Sequence, residues 1–78
     1  METEFRMVIG DDPDSDGLFG EIWFRGNVFA EIFEPPPYRI VVYPRRDNEP
    51  WEISLETMRS AIDAVKTRLD ELQPRRGK

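Results

Sequence analysis

Leu18-Phe19-Gly20-Glu21-Ile22-Trp23-Phe24-Arg25-Gly26-Asn27-Val28-Phe29-Ala30-Glu31-Ile32-Phe33 is the stretch whose pattern sets the fold. Ile22 and Phe24 alternate with Glu21, Trp23 and Arg25. After Gly26-Asn27 the alternation resumes, with Val28, Ala30 and Ile32 on one side and Phe29, Glu31 and Phe33 on the other. A period of two, rich in aromatic and β-branched residues, is the pattern of strands. Gly-Asn supplies the positive φ values that a tight hairpin needs. The stretch therefore predicts two antiparallel strands, about 18–25 and 28–33.

Before the hairpin, Phe5, Met7 and Ile9 alternate with Arg6 and Val8, predicting a strand over about 4–9. The link between them, Asp11 to Gly17, is built of loop residues. After the hairpin, Pro35-Pro36-Pro37 cannot donate ladder hydrogen bonds and forms a stiff connector. Tyr38 to Tyr43 predicts a fourth strand, ended by Pro44, and Arg45 to Pro50 is a polar loop. Trp51 is expected to lie over the core near Leu55 or Met58, and Ser54 is a candidate helix N-cap. Leu55, Met58, Ile62, Val65, Leu69 and Leu72 then recur at helical spacing, predicting a helix over about 55–72 that ends before Pro74.

The expected architecture is α+β: a four-stranded antiparallel β-meander with one C-terminal amphipathic helix packed across one face (β-β-β-β-α). Residues 1–73 are expected to form one domain, with 74–78 a basic flexible tail. Alternation places Phe5, Met7, Ile9, Ile22, Phe24, Val28, Ala30, Ile32, Ile40 and Val42 under the helix. It places Arg6, Val8, Phe19, Glu21, Trp23, Arg25, Phe29, Glu31, Phe33, Arg39, Val41 and Tyr43 on the opposite face. A bulge would move residues between the two faces.

Composition narrows the chemistry. The chain has 78 residues and a net charge of −5, with no Cys and no His. It can build no disulfide, no Cys/His zinc site and no Ser-His or Cys-His pair. A core of this size supplies only roughly 3–5 kcal/mol, so the fold has little to spare. Residues 1–34 carry nine acids against two bases, a net −7, while residues 35–78 carry a net +2. Such an acidic half repels nucleic acid and attracts basic partners or cations. The first nine residues lack a signal-peptide pattern, and no apolar run reaches the ~20 residues that span a bilayer, so a cytoplasmic protein with no membrane contact is expected.

Two features point toward a ligand. The face away from the helix should be mostly polar, yet it interleaves charges with large aromatic rings. Phe19, Trp23, Arg25, Phe29, Phe33, Val41 and Tyr43 form the candidate partner-binding face, because aromatics with Arg are what protein interfaces concentrate. The competing explanation is internal: cross-strand aromatic pairs stabilise sheets, and the stems of Arg6, Arg25 and Arg39 can cover rings. Glu21, Glu31 and Glu34 share a neighbourhood on adjacent strands. Arg45-Arg46 beside Tyr43 is a phosphate-binding candidate, for which a plain polar loop is the alternative.

The second feature is Asp12-Pro13-Asp14-Ser15-Asp16-Gly17, which matches the first half of an EF-hand-type calcium loop. Asp12, Asp14 and Asp16 are the candidate metal ligands, because alternate carboxylates can converge on a hard cation. The second half departs from that pattern, with Trp23 where a bidentate Glu belongs and strand rather than helix on the flanks.

The expected function is a small acidic non-catalytic protein-binding module, a homodimer formed through the aromatic face, with a basic protein as its other partner. In strand–strand–helix order it resembles small acidic bacterial immunity or antitoxin proteins, and an adaptor would look alike. One alternative is a calcium- or magnesium-binding protein using the Asp loop, and another is a structural accessory domain. Without calcium, no cofactor is expected.

Overall fold

The structure is a computed structural model that describes residues 3–12, 17–34 and 37–72. It comprises β1 (Arg6–Asp11), β2 (Leu18–Phe24), β3 (Asn27–Phe33), β4 (Arg39–Val42) and α1 (Leu55–Leu72). The strands form one sheet in the order β1-β2-β3-β4, every neighbouring pair antiparallel. The helix packs on one face, giving the β-β-β-β-α order that the alternation and the helical stripe predict.

The core is the inner face of β2 and β3 against one side of α1. Leu18, Ile22, Phe24, Phe29, Ala30 and Ile32 come from the sheet, and Ala61, Val65 and Leu69 from the helix. Small residues let the layers approach. Gly20 lies under Val65, where a Cβ would collide with the Val65 side chain. Ser54 caps the helix as its residue type predicts, its Oγ accepting the Thr57 N–H at 3.3 Å. Its hydroxyl also donates to Glu56 Oε1 at 3.0 Å. The Glu56 carboxyl is held below its usual range by its own backbone N–H and by that hydroxyl.

The hairpin corrects two sequence expectations. Its turn is Arg25-Gly26, not Gly26-Asn27: Arg25 has φ 52° and Gly26 φ 78°, and Asn27 pairs with Phe24. Two consecutive positive φ values make a two-residue hairpin turn whose twist suits the strands, although a non-glycine residue there is strained. Because the turn sits one residue early, Val28 pairs with Trp23 and takes the outer face. A bulge follows, and the next pair is Ile22 with Ala30. Phe29 is the extra residue and turns inward, where it is only 5% exposed. Its ring meets Phe24 edge-on at 5.5 Å and Trp51 at 5.2 Å. Trp51 thus covers the core over Phe24 and Phe29, with its Nε1–H donating to the Tyr43 carbonyl at 2.9 Å.

The helix covers the sheet unevenly. It contacts β2 and β1, while every residue of β4 is exposed. Ile40 and Val42 lie on the helix side, paired with Ile32 and Ala30, yet remain 49% and 55% exposed. The expectation that they pack against α1 is overturned, because one helix is too narrow to roof four strands. Met7, expected inside, is also exposed, at the margin of β1. At its far end α1 reaches the start of β4 through polar contacts. The Tyr38 hydroxyl donates to Asp70, and Lys66 Nζ lies 5.5 Å from the Tyr38 ring centre. No helix among the described residues is long and apolar enough to cross a membrane.

Candidate functional site

Register arranges the outer face into rows that cross all four strands. The first row is Gly10, Phe19, Phe33 and Arg39. Phe19 and Phe33 stack at 5.7 Å with planes 25° apart, and the Arg39 guanidinium lies 4.7 Å above Phe33. At the other end, Phe19 carbons come within 3.3 Å of where a Gly10 side chain would begin, so the ring lies over that bare backbone. Stacked rings and a cation–π contact leave Phe19 and Phe33 half-buried without a partner.

The second row is Val8, Glu21, Glu31 and Val41. Glu21 and Glu31 face each other directly across β2 and β3. Like charges in that position destabilise a sheet. Each is held by a ring from beyond that row: Trp23, which stands between Arg6 and Val28, and Tyr43, whose N–H bonds the Phe29 carbonyl. Trp23 Nε1–H donates to Glu21 Oε1 at 2.9 Å, and the Tyr43 hydroxyl donates to Glu31 Oε1 at 2.6 Å. The Tyr43 hydroxyl pKa is raised, first by that hydrogen bond, then by burial and by the charges of Glu31 and Glu21. One hydrogen bond leaves each carboxylate further acceptor capacity. The centre of the face is therefore a pair of oriented carboxylates framed by Phe19, Phe33, Trp23 and Tyr43. Such a frame suits a guanidinium or ammonium group, which gains from both carboxylates and ring faces.

Five of the seven candidate face residues, Phe19, Trp23, Phe33, Val41 and Tyr43, share this surface. Phe29 does not, being in the core. Arg25 lies beyond the rows, at the exposed hairpin turn, where it lines one hollow with Arg6 and Trp23. Arg39, by contrast, belongs to the face through its stack on Phe33. Of the three neighbouring glutamates, only Glu21 and Glu31 come together. Glu34 is buried at the end of β3, where its Oε1 accepts the Leu18 N–H at 3.0 Å. Counted from the Arg25-Gly26 turn, Glu21 is four residues back and Glu31 five forward, and the one-residue bulge at Phe29 makes up the difference, so the pair depends on a turn and a bulge that alternation alone does not place.

The other candidate groups are used locally or lie elsewhere. Arg45 binds Asp47 at 2.7 Å and the Pro50 carbonyl at 3.2 Å, and it lies 5.9 Å from the Trp51 ring centre. Asp47 also accepts the Glu49 N–H at 3.0 Å, and its carboxyl is held below its usual range, first by that bond and then by Arg45. These contacts make Arg45 a staple of its own loop, while Arg46 is exposed beside it. Asp14 and Asp16 lie outside the described residues, while Asp12 is buried with its N–H donating to the Gly17 carbonyl at 3.0 Å. No group of three or more His, Cys, Asp or Glu side chains is placed to hold a metal among the described residues.

Compared with protein-family models, with curated proteins and with solved structures, the chain matches none.

Proposed function

We infer that this protein is a small non-catalytic binding module whose outer sheet face receives a basic side chain of a protein partner. The observation that carries this reading is the Glu21–Glu31 pair, set opposite each other and steadied by Trp23 and Tyr43. Isolated, the pair costs the sheet stability, and a cation between the two carboxylates would reverse that cost. The surrounding rings supply the kind of contact area found at binding hot spots. The net −7 of residues 1–34 steers a basic partner toward the same half of the molecule. A second copy fits this face less well than a basic partner does, because a two-fold stack would set four carboxylates against one another.

Titration with an arginine- and lysine-rich peptide tests the reading, with Trp23 fluorescence as the signal. Binding is expected to weaken with added salt. It should be lost in Glu21→Gln/Glu31→Gln and retained in Glu49→Gln/Glu52→Gln, which removes two exposed carboxylates elsewhere. Equal binding by both double variants would refute the assignment.

A further inference from the structure

Among the described residues, the longest run of exposed large apolar side chains lies on the edge strand β4. Ile40, Val41 and Val42 are consecutive and are 49%, 36% and 55% exposed, so apolar side chains are bare on both faces of one edge strand. Proteins usually protect such an edge with charge, with a helix or with irregular backbone. Here the helix lies over β1 and β2.

The ladder shows which backbone groups the edge offers. The Tyr43 N–H donates to the Phe29 carbonyl at 2.9 Å, in step with the β3–β4 register. Antiparallel pairs alternate between bonded and non-bonded, so Val41 and Arg39 also bond toward β3. The N–H and C=O groups of Ile40 and Val42 therefore point outward. Pro37 and Pro44 bracket the strand and limit how far any pairing can run.

We propose that β4 pairs antiparallel with β4 of a second copy, about a two-fold axis at Val41, to form a continuous eight-stranded sheet. In that register Ile40 exchanges two backbone hydrogen bonds with Val42 of the other copy, and the two-fold axis repeats the exchange. Side chains match on both faces. Inside, Ile40 of each copy covers Val42 of the other, the two residues that the helix leaves bare. Outside, Val41 meets Val41, and Arg39 of each copy lies beside Tyr43 of the other, whose hydroxyl is bonded to Glu31. The guanidinium thus meets the acidic end of its neighbour, which gives the pairing charge complementarity. The β1 edge is a poorer site, because α1 adjoins it and walls Met7 with polar side chains such as Ser60, Asp63 and Thr67. This inference shares Arg39, Val41 and Tyr43 with the outer face but rests on the backbone edge of β4, not on the binding of a cation between Glu21 and Glu31.

The chain has no cysteine, so one engineered thiol gives a clean test. Val41 faces Val41 in a non-bonded pair, whose Cα separation of about 4.5 Å lies within disulfide reach. Val41→Cys should cross-link rapidly to a dimer under mild oxidation, and Val8→Cys, somewhat more exposed on the other edge, should not. By sedimentation equilibrium from micromolar to millimolar concentration, the unmodified protein should dimerise. Val41→Lys and Val42→Pro should each weaken the dimer at least about tenfold. Val42→Pro removes only an outward N–H, so the β3–β4 ladder stays intact. Circular dichroism of each variant confirms that it is folded. A monomer at millimolar concentration, a dimer indifferent to both substitutions, or equal cross-linking through Val8→Cys would each overturn the proposal. A dimer lost instead in Glu21→Gln, a carboxylate that the β4 pairing does not use, would place self-association on the outer face and overturn it as well.

Discussion

Replacing Gly20 with alanine should destabilise the protein, although the same change usually helps elsewhere. Gly20 sits in the middle of β2, outside the left-handed region, so alanine fits its backbone. In open space such a change gains about 0.4–1 kcal/mol by restricting the unfolded chain. Here the new Cβ would collide with the Val65 side chain and lie 3.1 Å from Ile9 Cδ1. Val65 is fully buried, so it can move only by pushing α1 off the sheet. Overpacking costs roughly 1–3 kcal/mol, and a collision with Val65 Cγ1 belongs in the upper half of that range, which leaves a net loss of about 1–2 kcal/mol. That is a large share of the roughly 3–5 kcal/mol that a core of this size supplies. At about 4–8 °C per kcal/mol, the melting temperature should fall by roughly 4–16 °C. Urea unfolding followed by tryptophan fluorescence measures the loss. Val65→Ala alone should cost about 1–3 kcal/mol through its cavity. The double variant should be more stable than the sum of the two losses by about 1 kcal/mol, because the small residue makes room for the added methyl. A Gly20→Ala protein as stable as the original, or strict additivity with Val65→Ala, would refute the close packing of helix on sheet.

Two further outcomes test other parts of the structure. Phe29→Ala should cost about 3 kcal/mol or more, as expected of a buried aromatic, and Phe33→Ala clearly less, because Phe33 is half-buried on the outer face. Equal losses in urea unfolding would contradict the bulge that turns Phe29 inward. Tyr38 has its hydroxyl pKa raised to about 12, chiefly by its hydrogen bond to Asp70, then by burial and the Asp70 charge. A raised folded-state pKa favours the protonated folded form, so this contribution is complete below about pH 10 and is lost as pH rises toward about 12. Tyrosinate absorbance should show Tyr38 titrating late, and Asp70→Asn should return it toward 10; an unmoved titration would remove the contact.

The element order was legible because each element repeats its own period. Leu55 to Leu72 keep a helical stripe, and Leu18 to Phe24 keep strict alternation. What alternation could not supply was the position of the turn. Gly26 invites positive φ, but whether Arg25 or Asn27 shares the turn depends on tertiary packing, and the buried triad of Phe24, Phe29 and Trp51 accompanies the first choice. One early turn moved Val28 out and Phe29 in. The bulge then restored the alternation, which is why Ala30, Glu31, Ile32 and Phe33 lie on the faces the sequence predicts. The acidic pair was partly legible for the same reason. The bare flank of β4 was not, since periodicity tells which face of a strand is apolar but not how far a neighbouring helix reaches.

That incomplete roof has a mechanical consequence. β4 contributes no side chain to the interior, so backbone pairing with β3 and a few peripheral contacts are all that fasten it. Local opening of this margin forfeits little buried area, and segments of that kind detach at a far lower free energy than the whole domain. The molecule behaves as a three-stranded body with a peelable hem, and whatever clips onto the hem adds its own grip to the stability of the remainder.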